Sequence, residues 1–261
     1  MLLKVQAETF DIFHDGSFLK FIRCNEDVDF IIEIQYLAEM IDSKFTLFNG
    51  KIKNCSKLEF ILWGLGEAYL NKDRNWTVLF IGGPSGTGKS SLAYEIAKFY
   101  GVNVIEADDI HLAIKTVTTK ENFPAIHYWD EGVDWKNIGV ESNVKWLIDV
   151  SKEMCPVLIE LANRHIEDKL PIIIEGDFIH PELTTSFDNP EIKTIFVREP
   201  DKNHIVQNYL AREGGDLQEY RADISIAYGD WQVDTCKKSG IKMVESRPWI
   251  TGLHRAVERL L

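Results

Sequence analysis

Eight consecutive residues, Gly83-Pro84-Ser85-Gly86-Thr87-Gly88-Lys89-Ser90, carry the spacing G-x-x-x-x-G-K-[ST]. Glycines at these positions let successive backbone N–H groups turn inward around an anion. The lysine ammonium then reaches the β- and γ-phosphates of a nucleotide, and the final hydroxyl is placed to ligate Mg²⁺. Ser91 opens the helical stretch that follows, whose positive N-terminal end points at the same anion. Gly83 through Ser91 are therefore the expected nucleotide-binding residues, with Lys89 an exposed loop lysine that meets the ligand. Glycine-rich turns also join strands to helices with no ligand at all. Here the apolar run Thr77-Val78-Leu79-Phe80-Ile81 precedes the loop and a helical pattern follows it, which is the context the motif requires.

Two more segments put carboxylates at the ends of predicted strands, where open α/β sheets build their sites. In Glu106-Ala107-Asp108-Asp109, Asp108 is the expected general base for an acceptor hydroxyl. Asp109 is either a second substrate contact or the cap of the next helix. In Ile174-Glu175-Gly176-Asp177-Phe178-Ile179-His180, Glu175 is expected to serve Mg²⁺ or orient the attacking group, and Asp177 to meet the substrate. Gly176 leaves room for the backbone to approach a ligand. His180, before Pro181, reads as a turn residue more readily than as a catalytic one.

Arg212 precedes Gly214-Gly215, a pair suited to a hinge. It is the expected lid arginine, stabilising charge on a transferring phosphoryl group after closure. Arg198 and Arg221 are weaker alternatives, each also readable as a surface salt bridge. Arg247, in Ser246-Arg247-Pro248-Trp249, stands where a flat guanidinium can stack on adenine.

These groups need a scaffold that brings strand ends together. Short Ile- and Val-bearing runs at residues 77–81, 102–106, 171–175, 193–197 and 241–245 read as strands buried on both faces. Helical stretches at 90–100, 141–150, 156–169, 201–212, 217–239 and 251–261 alternate with them. That alternation predicts an α/β fold, a five-stranded parallel sheet with helices on both faces, over residues 73–261. Residues 1–72 read as a small α+β appendage without a motif, open to structural support, regulation, substrate gating or homo-oligomer formation. Residues 116–140 form a long irregular insert containing His127-Tyr128-Trp129-Asp130-Glu131 and Trp135. An insert in that place suits acceptor binding, though its aromatics equally suit a small core.

The formal net charge of −12 over 261 residues argues against a nucleic-acid or anionic-membrane surface, which clustered Lys and Arg would hold. The four cysteines, Cys24, Cys55, Cys155 and Cys236, lack paired spacing, so reduced thiols are expected rather than a disulfide framework or zinc site. With no leader pattern and no run of membrane-spanning length, a cytoplasmic protein is the expectation.

Together, residues 83–90, Val104-Ile105-Glu106-Ala107-Asp108, Ile174-Glu175-Gly176 and the Arg212 segment resemble P-loop small-molecule kinases, and within them 2-phosphoglycerate kinase-like proteins. Chloramphenicol phosphotransferase-like proteins are similar at greater distance. The resemblance covers roughly residues 77–261 and implies a P-loop NTPase fold, ATP and Mg²⁺ as cofactors, and transfer of the γ-phosphoryl group to a small-molecule hydroxyl. Two departures concern the acceptor. Where those kinases tend to carry a histidine soon after Ile-Glu-Gly, this chain has Asp177-Phe178. Between Asp108 and Val140 the cations are Lys115, Lys120 and Lys136, few for gripping a phosphorylated acid. The alternatives are a nucleotide-dependent switch or ATPase with a protein partner, and a nucleic-acid end kinase, which the acidic balance disfavours.

Overall fold

The computed structural model describes residues 74–260. The appendage expected over residues 1–72 lies outside the described residues. Five strands form one sheet: β1 (Val78–Gly82), β2 (Asn103–Glu106), β3 (Ile172–Gly176), β4 (Ile192–Arg198) and β5 (Lys242–Glu245), in the order β2-β3-β1-β4-β5. Every pairing is parallel. The chain leaves β1 to one side and later crosses over it to reach β4, so the loop after β1 emerges at the middle of the sheet's C-terminal edge.

The strands are as apolar as their positions demand. All five residues of β1 and of β3 are buried, as expected for strands covered on both faces. Val78, Phe80, Ile172, Ile174 and Phe196 point to one side, into a core shared with Val150, Met154 and Leu158. The alternate residues Leu79, Ile81, Ile173, Ile195 and Val197 are equally closed to solvent, following the two-residue period of a strand.

Among the described residues there are six α-helices: α1 (Lys89–Tyr100), α2 (Ala107–Val117), α3 (Val140–Glu167), α4 (Lys202–Glu213), α5 (Glu219–Ser239) and α6 (Gly252–Leu260). Two of these differ from the sequence expectation. Separate helices were expected over 141–150 and 156–169, yet α3 runs unbroken through both and through Pro156. Val150, Met154, Leu158 and Ala162 recur every four residues and are all fully buried, so one continuous stripe anchors the helix. Pro156 and Lys152 both lie on the exposed side, where water can satisfy the carbonyl that a prolyl nitrogen cannot. The second difference is α2, which starts directly after β2 with Glu106 as its N-terminal flanking residue and no side-chain cap. Asp108 and Asp109 lie inside its first turn. Asp109 is therefore not a cap, and both carboxylates complement the positive helix end instead.

Candidate active site

The strand ends place the motifs side by side. Lys89 begins α1, and Gly88 before it takes the left-handed conformation at φ 86°, which a side chain would resist. The loop is held from within by the Thr87 hydroxyl, which donates to the Pro84 carbonyl at 2.8 Å. It is held from outside by Asn208 of α4, whose amide donates to the Gly86 carbonyl at 2.7 Å. A Cβ on Gly86 would come within 2.8 Å of Ile205 and 3.0 Å of Tyr209, so α4 packs against the loop as closely as a glycine permits.

Lys89 is not the exposed lysine expected. It is only 6% accessible, and its ammonium is ion-paired with the carboxylate of Asp177. Burial alone would lower its pKa, but Asp177 and then Glu175 outweigh that and raise it, so the lysine is firmly charged. Glu175 is 2% accessible. Its pKa is raised by burial, against the pull of Lys89 and of a hydrogen bond from Ser90. Its Oε2 has no hydrogen-bond partner among the described residues. An orphaned buried carboxylate oxygen beside a serine hydroxyl fits a small hard cation, which takes one or two protein oxygens and completes its shell with water and phosphate. The donor set of Ser90 and Glu175 therefore fits Mg²⁺.

Asp108 stands in the same electrostatic neighbourhood. Its outer edge is open to water, but the protein packed behind it and then the carboxylate of Asp177 push its pKa up to about 7, against the pull of Lys89. A carboxyl poised there can take a proton near neutral pH. Asp109 is also exposed, and the nearby Tyr94 hydroxyl donates to Glu106 at 2.8 Å rather than to it. Gly176 is not a ligand approach: a Cβ there would meet the Ala107 Cβ at 2.7 Å, so the glycine admits the start of α2. His180 is buried, its Nδ1 accepting from the Glu182 backbone at 3.1 Å, the turn role that its sequence context suggests.

Beyond the loop lies a cavity of about 400 Å³. Pro84 and Ser85 of the loop form one edge and Asp177 another. Trp129 and Trp135 reach it from the insert, Trp146 from α3, and Arg221 and Tyr228 from α5. The insert faces two ways. It supplies cavity wall, and it is clamped onto α3 by Glu153, which accepts from the Ala125 and Ile126 backbone at 3.0 Å.

The two arginines read as lid candidates separate here. Arg212 is 55% exposed in its side chain and pairs with Glu213. Arg221 sits over the Tyr209 ring at 4.3 Å, donates to Glu213 at 2.9 Å and reaches the Ser85 hydroxyl at 3.4 Å. Arg221 thus faces both loop and cavity, and Arg212 does not. Arg198 pairs with Asp230 on α5. Arg247 donates to the buried Glu199 at 3.3 Å and to Asn208 at 3.2 Å. That chain of contacts links the turn after β5 to the Gly86 carbonyl. Neither Asn208 nor Glu199 carries a sequence signal, and Tyr228 lies in a helix whose pattern gives no hint of a site.

The parallel sheet of order 2-3-1-4-5, with a phosphate loop after its central strand and carboxylates after the neighbouring ones, defines a P-loop NTPase fold. No protein-family model matches the chain. It is similar to the 2-phosphoglycerate kinase of Methanocaldococcus jannaschii, with 26% identity over 182 residues, 65% of this chain and 58% of that protein. It is similar also to the 2-phosphoglycerate kinase of Pyrococcus horikoshii, 28% identical over 109 residues, 40% of this chain and 36% of that one. The chain thus spans less than two thirds of the length of these relatives. Among solved structures, a gluconokinase from Sinorhizobium meliloti 1021 covers 72% of this chain and 93% of its own at 16% identity, with a TM-score of 0.42. Among the described residues, no helix is long and apolar enough to cross a membrane.

Proposed function

We propose that this chain is a Mg·ATP-dependent phosphotransferase that moves a γ-phosphoryl group to the hydroxyl of a small molecule, with residues 73–261 as its catalytic unit. The observation that carries the reading is the shared edge between loop and cavity. Pro84 and Ser85 belong to both, and Asp177 lines the cavity while binding Lys89. A phosphoryl donor held by the loop and an acceptor held in the cavity would therefore meet without either group travelling.

The loop amides and Lys89 would bind the β- and γ-phosphates, with Arg247 beside the base. Ser90 and Glu175 would hold the metal ion, which when bound supplies charge neutralisation across the phosphates. Asp108, with its pKa near the working pH, accepts the acceptor's hydroxyl proton on a carboxylate oxygen. Arg221, and Arg212 if the α4–α5 turn closes, stabilise charge on the transferring group. The aromatic walls of the cavity exclude water that would otherwise hydrolyse the nucleotide.

The test is acceptor-stimulated ADP release by the purified chain over a panel of alcohols, 2-phosphoglycerate among them. A kinase turns over quickly only with an acceptor present. ADP release that is indifferent to every alcohol, together with nucleotide-dependent binding of a protein, would replace this reading with a switch.

A further inference from the structure

Two facts about the cavity constrain what can occupy it. The first is its surface. Trp129 meets Trp146 edge-on with ring centroids 4.9 Å apart, and Trp146 meets Phe178 in the same way at 6.0 Å. Rings locked edge-to-face present flat apolar walls with little freedom to rearrange. A volume of about 400 Å³ is at the small end of the range for ligand cavities.

The second is its charge. Among the described residues, Arg221 is the one cation lining the cavity, and Asp177 lines it too. Arg221 is already bonded to both carboxylate oxygens of Glu213 and to the Gln218 side-chain carbonyl. Ser225 is bonded to the Tyr209 hydroxyl. The insert's cations, Lys115, Lys120 and Lys136, do not line the cavity; Lys115 pairs with Asp130 at 2.5 Å, and Lys136 lies over the Trp135 ring. The polar groups of the wall thus satisfy one another. What remains for a ligand is ring face and a carboxylate that accepts hydrogen bonds. A phosphorylated hydroxy acid carries nearly three negative charges near neutral pH, about two on its phosphate and one on its carboxylate. It would bring them against Asp177 with Arg221 as the one cation of the wall, already shared between Glu213 and the charge of the transferring group, and an unpaired anion is costly to desolvate.

Resting on the phosphotransferase reading above, we infer that the acceptor is a neutral cyclic alcohol, one that lays an apolar ring face on Trp129 and Trp146 and presents its hydroxyl toward Asp177 and the phosphate loop. Specificity then comes as much from rejection of anions as from attraction of the ring.

The test compares acceptors on the full chain at saturating Mg·ATP, reading ADP release. Neutral monosaccharides, cyclitols and nucleosides form one arm, 2-phosphoglycerate a second and glycerol, neutral but acyclic, a third. At least one cyclic neutral alcohol is expected to exceed 2-phosphoglycerate and glycerol in kcat/KM by about a hundredfold, a differential of the size that a site with misplaced charge imposes. Trp129→Leu, which keeps apolar bulk and removes the ring, is expected to raise KM for that acceptor about tenfold with kcat held, the scale of a lost stacking contact. Efficient turnover of 2-phosphoglycerate would overturn the inference while leaving the phosphotransferase reading standing, and glycerol matching the cyclic compounds would do the same. Stimulation by no alcohol in any arm, with Mg·ATP bound, would bring down both. A Trp129→Leu variant that folds and leaves the acceptor KM unchanged would also overturn the inference.

Discussion

The ammonium of Lys89 and the carboxylate of Asp177 form a buried ion pair joining the phosphate loop to the end of β3. Each was expected to serve a ligand, the lysine a phosphate and the aspartate an acceptor. Their pairing makes them competitors for the same charge. A triphosphate that draws Lys89 toward its oxygens must loosen the bond to Asp177, and doing so turns Asp177 toward the cavity that it already lines.

Asp177→Asn should therefore tighten nucleotide binding. With the competing charge removed, ADP or ATP affinity is expected to rise about tenfold, within the usual worth of a charged hydrogen bond. Acceptor KM should rise in the same variant. Isothermal titration reads the first and steady-state kinetics the second. Nucleotide affinity that falls would mean Asp177 helps to hold the metal or the phosphates.

Lys89→Ala should cost both turnover and stability. Loss of a charge donor to a transferring group typically lowers kcat by about 10²–10³. An exposed loop lysine, as the sequence reading held it to be, could be removed without disturbing the fold. The structure revises that: Asp177 and Glu175 would be left facing each other without their cation. Removing one partner of a buried pair typically costs about 3–5 kcal/mol, lessened where the orphaned carboxylates take up protons. Urea unfolding near pH 8, where those protons are scarce, checks it. Equal stability of variant and parent would contradict the buried pair.

How much of this was legible in advance depends on how local each feature is. β1 and β3 were readable because each opens on an apolar run, Val78–Ile81 and Ile172–Ile174, and the loop because its eight residues are contiguous. Continuity through Pro156 was not, since it depends on which side of α3 the proline faces. The role of Gly176 was invisible for a similar reason: its neighbour Ala107 comes from another strand's end. The cavity draws Trp135, Trp146, Phe178 and Tyr228 from four separate segments, and no single window of sequence contains them. Lys89 and Asp177 were each read with a ligand, and the structure pairs each with the other.

Asp108 offers a test in pH. A general base works only when deprotonated, so kcat/KM for the acceptor should rise with pH and level off above about 7, the value to which burial and Asp177 bring this carboxyl in the free protein. Asp108→Asn should lose that limb and lower transfer by about 10²–10⁴, with nucleotide affinity nearly unchanged. Stability should move the other way. A carboxyl whose folded pKa is raised holds its proton more tightly folded than unfolded. Its contribution is therefore present below the unfolded value near 4 and is lost as pH climbs toward 7. The Asn variant should accordingly have a higher Tm than the parent at pH 8 and no such advantage at pH 4. A pH profile unaltered by the substitution would assign the base elsewhere, and Asp177, which lines the cavity, would be the next residue to replace.

Arg212 and Arg221 hold the same carboxylate, that of Glu213, but stand differently toward the phosphate loop. Arg221 already spans Tyr209, Glu213 and the loop serine Ser85, whereas Arg212, also over the Tyr209 ring at 5.4 Å, is exposed and pairs with Glu213. Glu213 is the hub: Gln218 and Arg212, with Arg221, hold its carboxyl down at about 2. It therefore stays charged throughout the working range and keeps both guanidinium groups near the turn at Gly214 and Gly215, each at positive φ. If the turn stays as it is during transfer, Arg221→Ala should lower kcat by about 10³–10⁵, the scale for an arginine acting on the transferring group, and Arg212→Ala by less than about tenfold, as for an exposed ion pair. If the turn closes over the nucleotide, Arg212→Ala should match it in kcat while leaving ADP affinity intact, since its charge would act only during transfer. Hydrogen exchange across residues 205–220 distinguishes the two, because closure should slow exchange only when acceptor and triphosphate are both bound. Full kcat in both variants would remove the α4–α5 turn from the chemistry altogether.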